Sequence, residues 1–280
     1  MNSHRDINSF KNYLQAKNYT DSTVKSYLKI IQRYKTWIGK EALTAPSLTT
    51  EKVVSYLHHL RKASLKARTI SNHLCVLRYY LDYLGVVPNP LQYFIYHTPK
   101  QRLPHQLLTQ KQLQDLYKAP LVSLKYEVLR SLLIEQAIAS KDVALLQIQH
   151  LLLDKGEILI PARKKSNARK LPLTSFQVDL LYAFLKEDHL KNQSPQTHLF
   201  PQNTSNPLTY LREQLNKACP FLTKIAQIRS SVLTLWLKQQ DVRIVQYKAG
   251  HRYVSSTERY QTADLEALRH QLAHSHPLGK

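Results

Sequence analysis

Residues 226–260 read AQIRSSVLTLWLKQQDVRIVQYKAGHRYVSSTERY, and three fixed points in them carry side chains suited to phosphate chemistry. Arg229 stands at the head of an apolar helical run, where a planar, permanently charged guanidinium can pair two oxygens of one phosphate. Gly250-His251 follows; taken alone, that pair reads as a helix cap and a turn. Tyr260 comes nine residues after the histidine. A phenol can attack a phosphodiester, and the adduct conserves the energy of the broken bond, so an incoming hydroxyl can reverse the step. One tyrosine among seventeen ordinarily fills a core or a surface, and it is the spacing that singles Tyr260 out.

The chain that must position these groups has 280 residues, a formal net charge of +21 and a pI near 9.9. That length suits one large or two ordinary domains, and 43% hydrophobic residues supply real cores and exclude wholesale disorder. The surplus of lysine and arginine calls for a polyanion. Nucleic acid is preferred to an anionic membrane face, because the basic residues are spread over two folded regions and not along one amphipathic helix. Cys75 and Cys219 are too few and too far apart for a metal site or a disulfide framework, and read as reduced core residues. The start, MNSHRDINSF, lacks a basic segment followed by an apolar run, and no stretch approaches the ~20 apolar residues that span a bilayer. The expectation is a soluble, cytoplasmic protein.

In the first part, Ile7, Phe10, Tyr13 and Leu14 share one helical face, and Thr20-Asp21-Ser22 offers caps for a second helix that Gly39 is expected to stop. Thr49-Thr50-Glu51 opens a third helix, and a fourth runs over residues 67–84 with Ile70, Leu74, Leu77 and Leu81 as its stripe. Four helices with short loops predict a bundle. Its polar faces hold Lys25, Lys66 and Arg68 with few acids between them, and Thr69 and Asn72 lie beside them at the start of the fourth helix; this reads as a surface that tracks phosphates. Residues 87–107 carry Pro88, Pro90, Pro99 and Pro104, and so form a connector that Lys100 and Arg102 make basic. Beyond it the pattern predicts a short helix from Thr109 and a helix over 124–139. A β-hairpin follows, built from EILIPA and ARKLPL around a polar tip at 164–167. Helices are expected over 175–190 and 208–218, and an amphipathic terminal helix through Leu265, Leu268 and Leu272.

The spacing of Arg229, Gly250-His251 and Tyr260 resembles the catalytic end of the tyrosine recombinases (phage integrase family), which reads HxxR, then GH, then Tyr. YTDSTVKSYLKIIQRYKTWI and KARTISNHLCVLRYYLDYL are similar to helices of that family's core-binding domain. The hairpin is similar to its sheet edge, where a catalytic lysine precedes the tip. The resemblance covers about residues 9–268. It implies a mainly α fold with a small β-sheet: an N-terminal four-helix core-binding (SAM-like) domain over 1–86, the linker over 87–107, and a C-terminal α+β catalytic domain over 108–280, forming a clamp on DNA. It also implies roles. Tyr260 would be the nucleophile that forms a 3′-phosphotyrosyl link, Arg229 and His251 would hold the phosphate oxygens, and Lys164 would protonate the leaving 5′-oxygen. Lys165 is the alternative to Lys164 and otherwise a DNA contact. The same resemblance implies double-stranded DNA as substrate, no metal or other cofactor, a tetramer on DNA joined through the C-terminal helix, and a part in integration of a mobile element, inversion or resolution.

Two positions depart from the pattern. The family's Gly-Leu-Arg turn, laid on QAIASKDVALL, sets its acid at Asp142 and its arginine at Ala139; the first histidine of HxxR falls on Ala226. Losing a phosphate-binding arginine can cost ~100-fold or more in rate. Lys141 is the nearest compensating cation, with Arg243, Lys248 and Arg252 further off in sequence. Two functions therefore stand: an active recombinase with a reorganised phosphate clamp, or a catalytically impaired recombinase-fold protein that binds DNA or assists another recombinase.

Overall fold

Apolar stripes at helical spacing build the first of two units into which the chain divides, Met1–Gln101 and Arg102–Lys280. The computed structural model describes residues 3–40, 49–97, 106–187, 190–201 and 206–261. In the first unit, α1 (Ser3–Ala16), α2 (Asp21–Lys40), α3 (Thr50–Lys62) and α4 (Ala67–Tyr83) enclose a core rich in aromatic rings. Phe10 meets Tyr80 edge-on at 5.1 Å, and Tyr34 meets Tyr56 edge-on at 5.3 Å, the geometry favoured by the ring quadrupole. Thr49 caps α3 by accepting from the Lys52 amide, and Gly85 follows α4 in the left-handed region at φ +72°. α2 is described as far as Lys40, one residue beyond Gly39, and buries Trp37 and Ile38 in its last turn.

Residues 86–97, the start of the expected connector, fold onto the bundle. Leu91 is fully buried there, and Arg78 donates to the carbonyls of Leu91 (2.7 Å) and Phe94 (2.9 Å). Lys100 and Arg102 lie outside the described residues.

The second unit surrounds α6 (Leu124–Glu135), which packs against α5 (Gln110–Lys118), α8 (Ser175–Leu185), α9 (Pro207–Ala218) and α10 (Ile225–Gln239). Val128, Leu129, Leu132 and Leu133 bury one broad apolar face of it. A three-stranded antiparallel sheet runs in the order β1 (Leu151–Leu152), β2 (Glu157–Ile160), β3 (Arg169–Pro172). Its alternation buries Ile158, Ile160 and Leu171 on one face. The hairpin and its tip stand where the residue pattern predicts. The helix expected over 124–139 ends early: Gln136 turns its amide to the Pro172 carbonyl and to Gln177, both at 2.8 Å, and Ala137 takes φ +46°. The helix expected over 175–190 likewise stops at Leu185. After the turn comes the short α7 (Ser140–Val143), and the unit closes with α11 (Val242–Ala249) and a helical segment over 255–261. The terminal helix expected through Leu265, Leu268 and Leu272 lies outside the described residues. No helix among the described residues is long and apolar enough to cross a membrane.

Candidate active site

Three chain segments meet at the guanidinium of Arg229, which projects from the first turns of α10. It donates to the Ala137 carbonyl in the turn after α6 and, at 2.7 Å, to the Ala249 carbonyl at the end of α11. Its Nη2 also lies 3.4 Å from His251 Nε2. Burial pulls the Arg229 pKa down to about 10, with Tyr260 and Asp142 opposing that and Arg169 and Arg163 adding to it; the group stays charged at neutral pH.

Gly250 delivers His251 to this point. It caps α11 at φ +69°, a conformation that an L side chain rarely adopts. A Cβ there would also run into the Arg169 guanidinium and come within 2.9 Å of Ser166 Oγ. The Gly250 carbonyl accepts from the Asn167 amide and from Ser166 Oγ, each at 3.0 Å, which fastens the hairpin tip to the helix end. Arg163 and Ser166 close that tip with reciprocal backbone bonds, and Lys164 and Lys165 on it are exposed. Arg252 donates to the Lys164 carbonyl at 3.4 Å.

His251 places Nδ1 2.9 Å from Oγ1 of the fully buried Thr257. A guanidinium has only donors, so Nε2 is the acceptor towards Arg229, and Nδ1 carries the proton and donates to Thr257. Burial, together with Arg229, Arg169 and Arg259, pushes the imidazole pKa down to about 4, so the ring is neutral near pH 7. The Tyr260 ring stacks on it at 5.9 Å and 7°. Tyr260 is half-buried, one helical turn beyond Thr257, and its ring rests on the unit's core. The structure thus gathers Arg229, His251 and Tyr260 into one cluster and brings Lys164 to its edge on the hairpin tip.

The sequence marks Asp142 as an acid of the family pattern but not the charged group it forms behind that cluster. Asp142 on α7 is 1% exposed; its Oδ1 accepts from Arg163 Nε at 2.6 Å, and its Oδ2 accepts from Arg169 Nη2 at 3.0 Å and the Ala139 amide at 3.2 Å. Burial raises the Asp142 pKa, but Arg169 and Arg163 outweigh it and hold the carboxyl below its usual range. Arg169 is 0% exposed and also donates from Nε to the Lys248 carbonyl at 2.8 Å. An acid inside QAIASKDVALL signals a buried partner, but no local spacing joins residue 142 to residues 163 and 169.

Of the other positions, Ala139 is half-buried at the start of α7 and Ala226 is exposed on the first turn of α10. Lys141 is exposed and forms no hydrogen bond or ion pair to the cluster among the described residues. Arg243 donates to Gln246 and Lys248 to Gln240. In the first unit Lys25, Lys66, Arg68, Thr69 and Asn72 are all exposed, and the first turn of α4 holds no acid.

A four-helix bundle followed by an α+β unit with an Arg-His-Tyr cluster against a basic hairpin is the architecture of a DNA strand-transfer protein. Residues 7–85 match the phage integrase N-terminal SAM-like domain and residues 106–267 match the phage integrase family, and the chain belongs to that family. It is 25% identical to the tyrosine recombinase XerC of Bacillus subtilis (strain 168), over 97% of this chain and 96% of that one. It is 23% identical to the tyrosine recombinase XerA of Thermococcus kodakarensis, over 94% and 92%. Among solved structures it resembles a lambda integrase dimer bound to a COC′ core site (TM-score 0.70, 14% identity, covering 94% of this chain and 96% of that one). It also resembles the XerH site-specific recombinase bound to difH substrate in a pre-cleavage complex (TM-score 0.68, 19% identity, 93% and 83%).

Proposed function

We propose that the chain is an active site-specific DNA recombinase that cuts and rejoins strands through Tyr260. The Tyr260 phenol releases its proton to water as its oxygen attacks the scissile phosphorus, the bond from phosphorus to the 5′-oxygen breaks, and Lys164 gives that oxygen its proton. A 5′-hydroxyl from a partner duplex then attacks the phosphotyrosyl link and frees the phenol. Arg229 turns its guanidinium from neighbouring carbonyls to the non-bridging oxygens. A phosphate beside His251 favours the charged ring, so its Nε2 changes from acceptor to donor. The observation that carries the reading is the convergence of Arg229, neutral His251 and the stacked Tyr260 ring on one fixed point.

The exposed cations of the first unit support binding of double-stranded DNA, with Lys25, Lys66, Arg68, Thr69 and Asn72 on phosphates. Lys100, Arg102 and Lys165 are assigned to the same duplex. Residues 1–86, 87–107 and 108–280 are proposed as binding domain, linker and catalytic domain. Assembly as a tetramer through the C-terminal helix, and work in the cytoplasm, complete the reading; the lambda integrase neighbour, described as a dimer on its core site, supports self-association.

Nicked suicide duplexes test it. Wild type is expected to give a denaturant-resistant protein–DNA adduct, and Tyr260→Phe none. Ala139 and Ala226 favour a second reading, a recombinase-fold accessory binder. Tight binding of the same duplexes by wild type without an adduct would establish that alternative.

A further inference from the structure

We propose that Arg163 supplies the guanidinium that Ala139 lacks and grips the scissile phosphate opposite Arg229. The inference rests on the reading that this site cleaves DNA, and goes beyond it by assigning a catalytic residue on the hairpin. Asp142 carries the geometry: one oxygen accepts from the Ala139 amide at 3.2 Å and the other from Arg163 Nε at 2.6 Å. The head of Arg163 therefore sits within one carboxylate's width of the backbone at position 139. Arg229 is anchored to the Ala137 carbonyl of the same turn, so both guanidiniums are tied to residues 137–139, Arg229 directly and Arg163 through Asp142.

Orientation and charge agree with this. Arg163 engages Asp142 through Nε, which leaves its two Nη groups as a fork for another acceptor. Its side chain is 22% exposed, whereas Arg169, on the other carboxylate oxygen, is 0% exposed and closed off from a substrate. Arg163, Arg169 and Arg229 crowd around one carboxylate, and such a surplus of buried positive charge is relieved by an anion. Lys141 lies close in sequence but has no such tether, and its ammonium lacks the planar fork that holds two phosphate oxygens.

Single-turnover cleavage of the nicked duplex tests the assignment. Arg163→Ala is expected to slow adduct formation on the order of 100-fold relative to wild type. Arg163→Gln keeps a donor for Asp142 without the charge, and should show a similar loss with an unchanged thermal midpoint. Adding Ala139→Arg to Arg163→Ala should recover at least about tenfold, since it restores a guanidinium to the same place. The readout that a purely structural role would not move is a duplex carrying a neutral methylphosphonate at the scissile position. With one oxygen's charge removed, the Arg163→Ala defect should shrink. A defect equal on both duplexes, or a variant as fast as wild type, overturns the role of Arg163 while leaving Tyr260 chemistry intact. Absence of an adduct from wild type itself overturns the cleavage reading and this inference with it.

Discussion

The two units treat charge in opposite ways. In the bundle the buried polar groups are neutral: His73 and Tyr56 lie 3.3 Å apart, and burial and Arg33 push the histidine pKa down, away from protonation. The bundle cations proposed to meet DNA are all exposed. In the second unit Asp142 and Arg169 are sealed in, and Arg163 and Arg229 are tied to fixed acceptors. A solvated cation attracts a polyanion anywhere along its length and is screened by salt. A tethered, half-buried guanidinium is aimed at one phosphate and keeps its field in a less polar setting. On the proposed reading, the bundle supplies affinity and the second unit position.

Asp142→Asn attacks that difference at its strongest point. The substitution nearly preserves shape but leaves the fully buried Arg169 charge uncompensated, which costs about 3–5 kcal/mol when one partner of a buried pair is removed. Urea unfolding at neutral pH should show a loss of that order. A loss below about 1 kcal/mol, the range of a surface pair, would mean that the second unit tolerates charge as loosely as the bundle does.

A pH series sharpens the comparison at His251. Its folded pKa, about 4, lies below the ordinary 6.5, so the unfolded chain takes up a proton first as pH falls. Stability is therefore complete above pH 6.5 and declines towards pH 4. The 2.5-unit gap sets a ceiling of about 3 kcal/mol, reduced to about 1–2 kcal/mol by solvent screening of a half-open ring. His251→Asn should flatten the slope in that window relative to wild type, in denaturant midpoints taken at each pH. Loss tied to the Asp142 carboxyl falls lower, below its ordinary 3.8, because the folded pKa is depressed, so the two effects separate.

What was legible in the sequence follows the distance over which the signals act. Arg229, His251 and Tyr260 lie within one run of 32 residues whose spacing resembles the recombinase pattern, and the hairpin announced itself by turn residues and alternation. The end of α6 was not legible, because Ala137 adopts a left-handed turn without glycine, at a cost of ~1–2 kcal/mol, with its carbonyl held by Arg229 from 92 residues away. In the sequence Arg169 is simply part of the second strand, ARKLPL; its burial depends on Asp142, Gly250 and Lys248, which no local pattern links to it. Spacing along one run singled out the residues proposed to meet the substrate, and contacts between distant segments, such as Asp142 with Arg163 and Arg169, left no such mark.

The smallest effect on stability should come from the bundle, and it tests the other half of the contrast. Replacing both Lys66 and Arg68 with alanine removes two exposed cations from the start of α4, where neither contributes to the core. Unfolding stability should stay within about 0.5 kcal/mol of wild type. DNA affinity should fall, and the slope of log K against log salt should become shallower by about 0.9 for each phosphate that is no longer neutralised. Fluorescence anisotropy of a labelled duplex, titrated across about 50–200 mM salt, measures both. The drop in affinity should be nearly the same for different duplex sequences, because binding to phosphates carries no base information. A sequence-dependent drop would give α4 a part in base readout, and an unchanged slope would remove this face from the DNA interface.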